Sequence, residues 1–146
     1  MATDASIVLV VDDDPRMLFT VKESLELLGS FTVVTATNGV EALDVYDAHH
    51  PDCLVIDVRM PELDGYQLIR ILRGDPASAN TPMVILTAMA QDKDKFIGYA
   101  SGVDRYLLKP IRPADLVVAI HEALGLSDAE RTQRLLDFAD DAATRG

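Results

Sequence analysis

Cys53-Leu54-Val55-Ile56-Asp57-Val58-Arg59-Met60-Pro61-Glu62-Leu63-Asp64-Gly65 decides the fold. Four apolar residues run without alternation into a carboxylate. A short unbroken apolar run reads as a strand covered on both faces. An ionised carboxylate ending such a strand is costly to bury unless something pairs with it. Candidate partners stand at the ends of other strand-like runs. Asp12 and Asp13 follow residues 7–11, Thr87 follows Val84-Ile85-Leu86, and Lys109 follows Tyr106-Leu107-Leu108. Parallel strands would bring those ends to one edge, where α/β folds place their sites. Three carboxylates, a hydroxyl and an ammonium would then converge.

Working outward, the chain alternates between two periods. Residues 6–11 form a β-branched apolar run that stops at three aspartates, as a buried strand would. Pro15 suits a first helical turn, Leu18, Val21, Leu25 and Leu28 recur at helical spacing, and Gly29 marks the end. Residues 31–37 read as a second strand. Asn38 with Glu41 predicts a capping box, and the helix it opens ends at His49-His50 before Pro51. After the third strand, residues 52–58, Asp64 and Gln67 predict another box, with Leu68, Ile69, Ile71 and Leu72 as the apolar side. Residues 82–87 are a fourth strand and 91–101 a more polar helix. Residues 105–108 are a fifth strand, and Pro113 opens a helix with Leu116, Ile120 and Leu124 on one side and Gly125 at its end. Repeated βα units of this kind predict a parallel sheet with helices on both faces, and five of them suit a flavodoxin-like doubly wound sandwich of strand order 2-1-3-4-5.

Four segments carry a family resemblance: Val10-Val11-Asp12-Asp13-Asp14, residues 55–65, Ile85-Leu86-Thr87-Ala88, and Gly102-Val103-Asp104-Arg105-Tyr106-Leu107-Leu108-Lys109-Pro110. Together they resemble the receiver domain of bacterial response regulators, the phospho-accepting half of two-component signalling. The resemblance covers about residues 6–125. It implies a receiver domain over 1–125 and a helical extension over 126–146. It also implies a switch that takes a phosphoryl group on Asp57 from a histidine kinase or a His-phosphotransfer protein and then acts on a downstream protein target. Mg²⁺ would be held by Asp13 and Asp57, by Asp12 largely through water, and by the backbone carbonyl of Arg59. Lys109 would pair with Asp57 and later with a phosphoryl oxygen, across a Lys109-Pro110 peptide bond that is typically cis in the family. Thr87 would hydrogen-bond the phosphoryl group, and Tyr106 would turn into the space Thr87 vacates. The altered face would be that of the 91–101 helix, the 105–108 strand and the helix starting at Pro113. Arg59 and Met89 would border the route of attacking water and tune phosphate lifetime. Such a domain transfers and slowly hydrolyses its own phosphoryl group and is not a turnover enzyme.

The elementary chemistry agrees with that reading. A carboxylate can attack phosphorus, and because both reactants are anionic the site needs a cation. Clustered aspartates suit a hard ion such as Mg²⁺. Taken singly, Asp12 and Asp13 also read as a helix cap in an acidic turn, Thr87 as an ordinary strand residue and Lys109 as a surface lysine. It is their joint placement at strand ends that points to a site.

Composition excludes several classes. With 146 residues, 49% of them apolar, the chain has the material for one cored domain. A net charge of −11 argues against direct nucleic-acid binding, which needs cations to neutralise phosphates. Cys53 is the single cysteine and reads as a small buried apolar residue, as expected in a reducing compartment. No apolar stretch spans a bilayer, and residues 1–6 lack the length and basic start of a signal peptide, so a soluble cytoplasmic protein is expected. Arg73-Gly74-Asp75 reads as a helix end, and the three histidines lack metal-ligand spacing. A haloacid-dehalogenase-type phosphatase also uses a strand-end Asp-x-Asp, here Asp12-Asp13-Asp14, but Arg16 stands where that family has Thr or Val. A flavodoxin-like FMN binder lacks its phosphate loop here. No output module follows residue 125, which leaves open a stand-alone regulator, a phosphorelay intermediate or a receiver piece of a longer protein. Ser127-Asp128-Ala129-Glu130 predicts a last helix with Leu135, Leu136, Phe138, Ala139 and Ala142 as its apolar side. It could fold back, form a homodimer or lead into a linker.

Overall fold

The computed structural model describes residues 6–29, 31–58, 64–87 and 103–125. Five strands form one parallel sheet: β1 (Ile7–Val11), β2 (Thr32–Ala36), β3 (Cys53–Ile56), β4 (Met83–Thr87) and β5 (Arg105–Leu108), in the order β2-β1-β3-β4-β5. Four helices are described: α1 (Pro15–Gly29), α2 (Gly39–His49), α3 (Gly65–Gly74) and α4 (Pro113–Leu124). The expected helices at 91–101 and 127–145, the Arg59 carbonyl and Met89 lie outside the described residues. Among those described, no helix is long and apolar enough to cross a membrane.

The sheet's interior and its edges follow from residue pattern. β1, β3 and β4 are unbroken apolar runs and are buried along almost their whole length. β2 and β5 mix exposed and buried positions, as edge strands do. Alternation along each strand then divides two cores. Leu9, Leu54, Ile56, Met83 and Ile85 meet Tyr46 of α2 and Leu68, Ile69 and Leu72 of α3 on one face. Val8, Val10, Val55 and Val84 meet Leu18 and Leu25 of α1 and Leu116 and Ile120 of α4 on the other. Cys53 is fully buried in the second core, as an apolar filler.

Caps fix the helix starts. Asp64 and Gln67 form both halves of the capping box on α3. At α2 only half forms. The Asn38 side chain accepts from the Glu41 amide at 2.8 Å, but the Glu41 carboxylate takes the Thr37 hydroxyl at 2.9 Å instead of reaching back. α1 departs from expectation at its last turn, where Leu28 is 59% exposed although it continues the buried spacing of Leu18 and Leu25. Ile71 likewise faces outward, because the core ends with Leu68, Ile69 and Leu72.

Candidate functional site

The strand register brings the acids together before any side chain is considered. Val11 pairs with Ile56, so Asp12 and Asp57 are the next residues on adjacent strands, one interstrand spacing of about 4.8 Å apart. Backbone pairing continues past the strands: the Asp57 amide donates to the Val11 carbonyl at 2.9 Å, and the Asp12 amide to Ala36 at 3.1 Å. On the other side, the Lys109 amide donates to the Thr87 carbonyl at 2.7 Å. The Lys109-Pro110 peptide bond is cis.

Side chains complete the cluster. Asp12, Asp13 and Asp57 each offer a carboxylate oxygen, and all three oxygens lie within 4.8 Å of one another. Lys109 reaches over the end of β4 and sets its ammonium 3.3 Å from Asp12 and 3.5 Å from Asp57. Side-chain exposure is 8% for Asp12, 12% for Asp57 and 23% for Lys109, so these charges are little screened by water. Among the described residues, Lys109 is the cation paired with Asp12 and Asp57, and with Asp13 beside them the three carboxylates form a group that could hold a metal ion. The donors are all oxygens, the set a hard divalent ion takes, and Asp13 is exposed enough to admit one.

Thr87 ends β4 and is fully buried. It shares a sheet face with Met83 and Ile85, and Ile85 pairs in register with Tyr106, itself buried in the same core. Thr87 and Tyr106 thus lie on one face of the sheet, on adjacent strands. Leu108 and Arg105, at the outer edge, face solvent in part.

Gly65 and Asp104 matter here although the sequence did not single them out. Gly65 opens α3 and donates its amide to the Val58 carbonyl at 3.0 Å. A Cβ at Gly65 would lie 2.6 Å from the Asp57 carbonyl oxygen and 2.9 Å from the Val58 Cα, so only glycine lets α3 close on the Asp57 backbone. Asp104 is buried just before β5, accepts from the Met83 amide at 2.8 Å and faces Arg73 at 3.4 Å, tying β4, β5 and α3 together. Asp14 caps α1 by accepting from the Arg16 amide at 2.9 Å, while Asp12 accepts from the Asp14 amide at 2.9 Å. The acidic triplet therefore divides its work between helix start and pocket.

Residues 8–121 match the family described as the response regulator receiver domain. The chain belongs to that family. This receiver is 37% identical over 121 residues to response regulator Rre1 of Synechocystis, covering 83% of this chain and 52% of the relative. It superposes on the receiver domain of Francisella response regulator 1452 with a TM-score of 0.75 at 35% identity, over 82% of this chain and 96% of that one. Vibrio cholerae chemotaxis protein CheY4 gives a TM-score of 0.78 at 29% identity, over 82% and 99%. The receiver spans about half the length of the curated relatives it matches.

Proposed function

We propose that this receiver accepts a phosphoryl group on Asp57 and works as a phosphorylation-dependent switch in a two-component pathway. The observation that carries the reading is Asp57 itself: a nearly buried carboxylate beside two other acids and facing the Lys109 ammonium at 3.5 Å. An Asp57 oxygen attacks the phosphorus of a phosphohistidine on a kinase or phosphotransfer protein. The new O–P bond forms as the P–N bond breaks, and the imidazole nitrogen leaves with the electron pair and takes up a proton. Asp12, Asp13 and Asp57, with the Arg59 carbonyl, would hold Mg²⁺. That ion supplies neutralisation of the phosphoryl charge.

The chain's own groups do the rest. Lys109 holds Asp57 in place before transfer and exchanges it for a phosphoryl oxygen afterwards, a charge-assisted contact in either state. The Thr87 hydroxyl donates to another phosphoryl oxygen. Its shift biases Tyr106 between two packings, and so the face made by β5, α4 and residues 91–101. A partner that prefers one packing reads the state. Hydrolysis of the aspartyl phosphate is slow and stoichiometric, the site is regulatory, and a cytoplasmic setting supplies the kinase. Residues 1–125 are the receiver unit and 126–146 an extension.

A phosphatase using Asp12 is the poorer fit, because one Asp12 oxygen accepts the Asp14 amide and the other faces Lys109. Intact mass after incubation with acetyl phosphate and Mg²⁺ tests the reading. The wild type is expected to gain one phosphoryl group, about 80 Da, and Asp57→Asn none. Equal gain in both proteins would remove Asp57 from the role.

A further inference from the structure

β2 is the last strand on its side of the sheet. The Thr32 amide donates to the Ser6 carbonyl at 3.0 Å, and the Ala36 carbonyl accepts the Asp12 amide at 3.1 Å, so residues 32, 34 and 36 turn their backbone groups toward β1. Backbone groups of successive strand residues point to alternate sides, so those of Val33 and Thr35 point away from the sheet. Such an edge is a template for another strand. The β2 sequence, Thr32-Val33-Val34-Thr35-Ala36, carries neither charge nor proline, two of the usual means of blunting an edge. The strand at the other edge, β5, starts with Arg105. At β2 the charge comes from another element. Lys22 of α1 reaches across the edge and donates to the outward Val33 carbonyl at 3.1 Å, and Glu26, one helical turn on, stands 3.8 Å from the same ammonium.

We propose that the outer edge of β2 is a pairing surface for a second copy of this chain and that Lys22 holds it closed. The symmetry of the edge selects the occupant. Two β2 strands set antiparallel about a two-fold axis at Val34 bring Val33 of each opposite Thr35 of the other. These are the β2 residues whose N–H and C=O face outward, so each such pair can exchange both of its hydrogen bonds. The same patch serves both chains, as a closed two-fold contact requires. A shift of one residue would set inward-turned groups against outward ones and forfeit the bonds. Lys22 occupies one acceptor this pairing needs, the Val33 carbonyl, and does so in both copies. Pairing must first displace that ammonium, and it draws the two Lys22 side chains to one seam, like charge toward like. Lysine at a strand edge is a general bar to edge-to-edge pairing, and in this fold the helix beside the strand delivers it.

Cysteine cross-linking of the full 146-residue chain tests this. Val34→Cys puts a thiol on the two-fold axis, where facing Cα atoms of a non-hydrogen-bonded antiparallel pair stand about 4.5 Å apart, within disulfide reach. Thr32→Cys is the control. Thr32 is more exposed than Val34, but in this register its two copies lie about 14 Å apart along the strands. Each cysteine is combined with Lys22, with Lys22→Arg and with Lys22→Met, while Cys53 is fully buried. Mild oxidation is expected to link Val34→Cys chains into dimers at least tenfold faster with Lys22→Met than with Lys22 or Lys22→Arg. Thr32→Cys chains are expected to link no faster with Lys22→Met. Equal rates in the three Val34→Cys proteins would overturn the proposal. So would an equal rise for Thr32→Cys, which would mean unspecific sticking in place of the register. If Val34→Cys loses the wild-type circular dichroism, sedimentation of Lys22→Met at high concentration decides instead. A higher average mass than that of the wild type is expected there, and an equal mass would overturn the proposal. No phosphoryl donor or Mg²⁺ enters the experiment, so it stands or falls apart from the role of Asp57.

Discussion

Replacing Gly65 with alanine should loosen the site without touching any of its charged groups. The added methyl would lie 2.6 Å from the Asp57 carbonyl oxygen and 2.9 Å from the Val58 Cα. Both obstacles are backbone, so no side chain can swing aside. Restoring even a 3.0 Å contact moves α3 or the Asp57–Val58 backbone by about 0.4 Å, along the direction that lengthens the 3.0 Å bond from the Gly65 amide to Val58. Overpacking of this kind costs about 1–3 kcal/mol. The helix propensity gained by replacing glycine, at most about 1 kcal/mol, offsets part of it. With a urea m-value of about 1–3 kcal/mol/M, the unfolding midpoint should fall by about 0.5–1 M at unchanged m. Gly74→Ala is the control, because a Cβ there meets nothing within 4 Å and the residue lies in the same helix. It should leave the midpoint unchanged or raise it. Gly65→Ala with a wild-type midpoint, or Gly74→Ala as destabilised as Gly65→Ala, would refute the close-approach argument. Acetyl phosphate labelling of Gly65→Ala should also slow, because the displaced backbone carries Asp57.

Three other substitutions probe the charges. Lys109→Gln removes the ammonium facing Asp12 and Asp57 and should lower stability by about 1–3 kcal/mol in urea titrations without metal, the smaller end reflecting partial exposure of Lys109. Asp104→Ala takes an acceptor from the buried Met83 amide and a carboxylate from Arg73. A loss of about 3 kcal/mol is expected by thermal or urea unfolding, and a loss under 1 kcal/mol would contradict its bridging role. Asp13→Asn relieves repulsion among oxygens within 4.8 Å and should stabilise the metal-free protein by up to about 1 kcal/mol. It should also shrink the rise in melting temperature on adding Mg²⁺, which follows from linkage between binding and folding. An undiminished Mg²⁺ shift would take Asp13 out of the metal site.

The features legible in the sequence were those set by local pattern. A carboxylate closing an unbroken apolar run, as Asp57 closes Cys53–Ile56, announces a buried charge wherever the chain goes next. Parallel βα connection then sends every strand end to one edge, so Asp12, Thr87 and Lys109 could be assembled with Asp57 from order alone. What stayed hidden depends on distances between segments. Gly65 looks like a turn glycine after a capping Asp64, and nothing local tells that α3 must close on the Asp57 backbone. Asp104 looks like any acid before a strand, yet its carboxylate is the acceptor for an amide 21 residues away in the chain. Leu28 shows the same limit from the opposite side. Its spacing from Leu18 and Leu25 is that of a core residue, and the sheet it was expected to cover does not reach it. A helical period states that a side chain seeks cover without naming the surface. In α1 the sheet covers Leu18 and Leu25 and leaves Leu28 exposed, so the same period carries both outcomes.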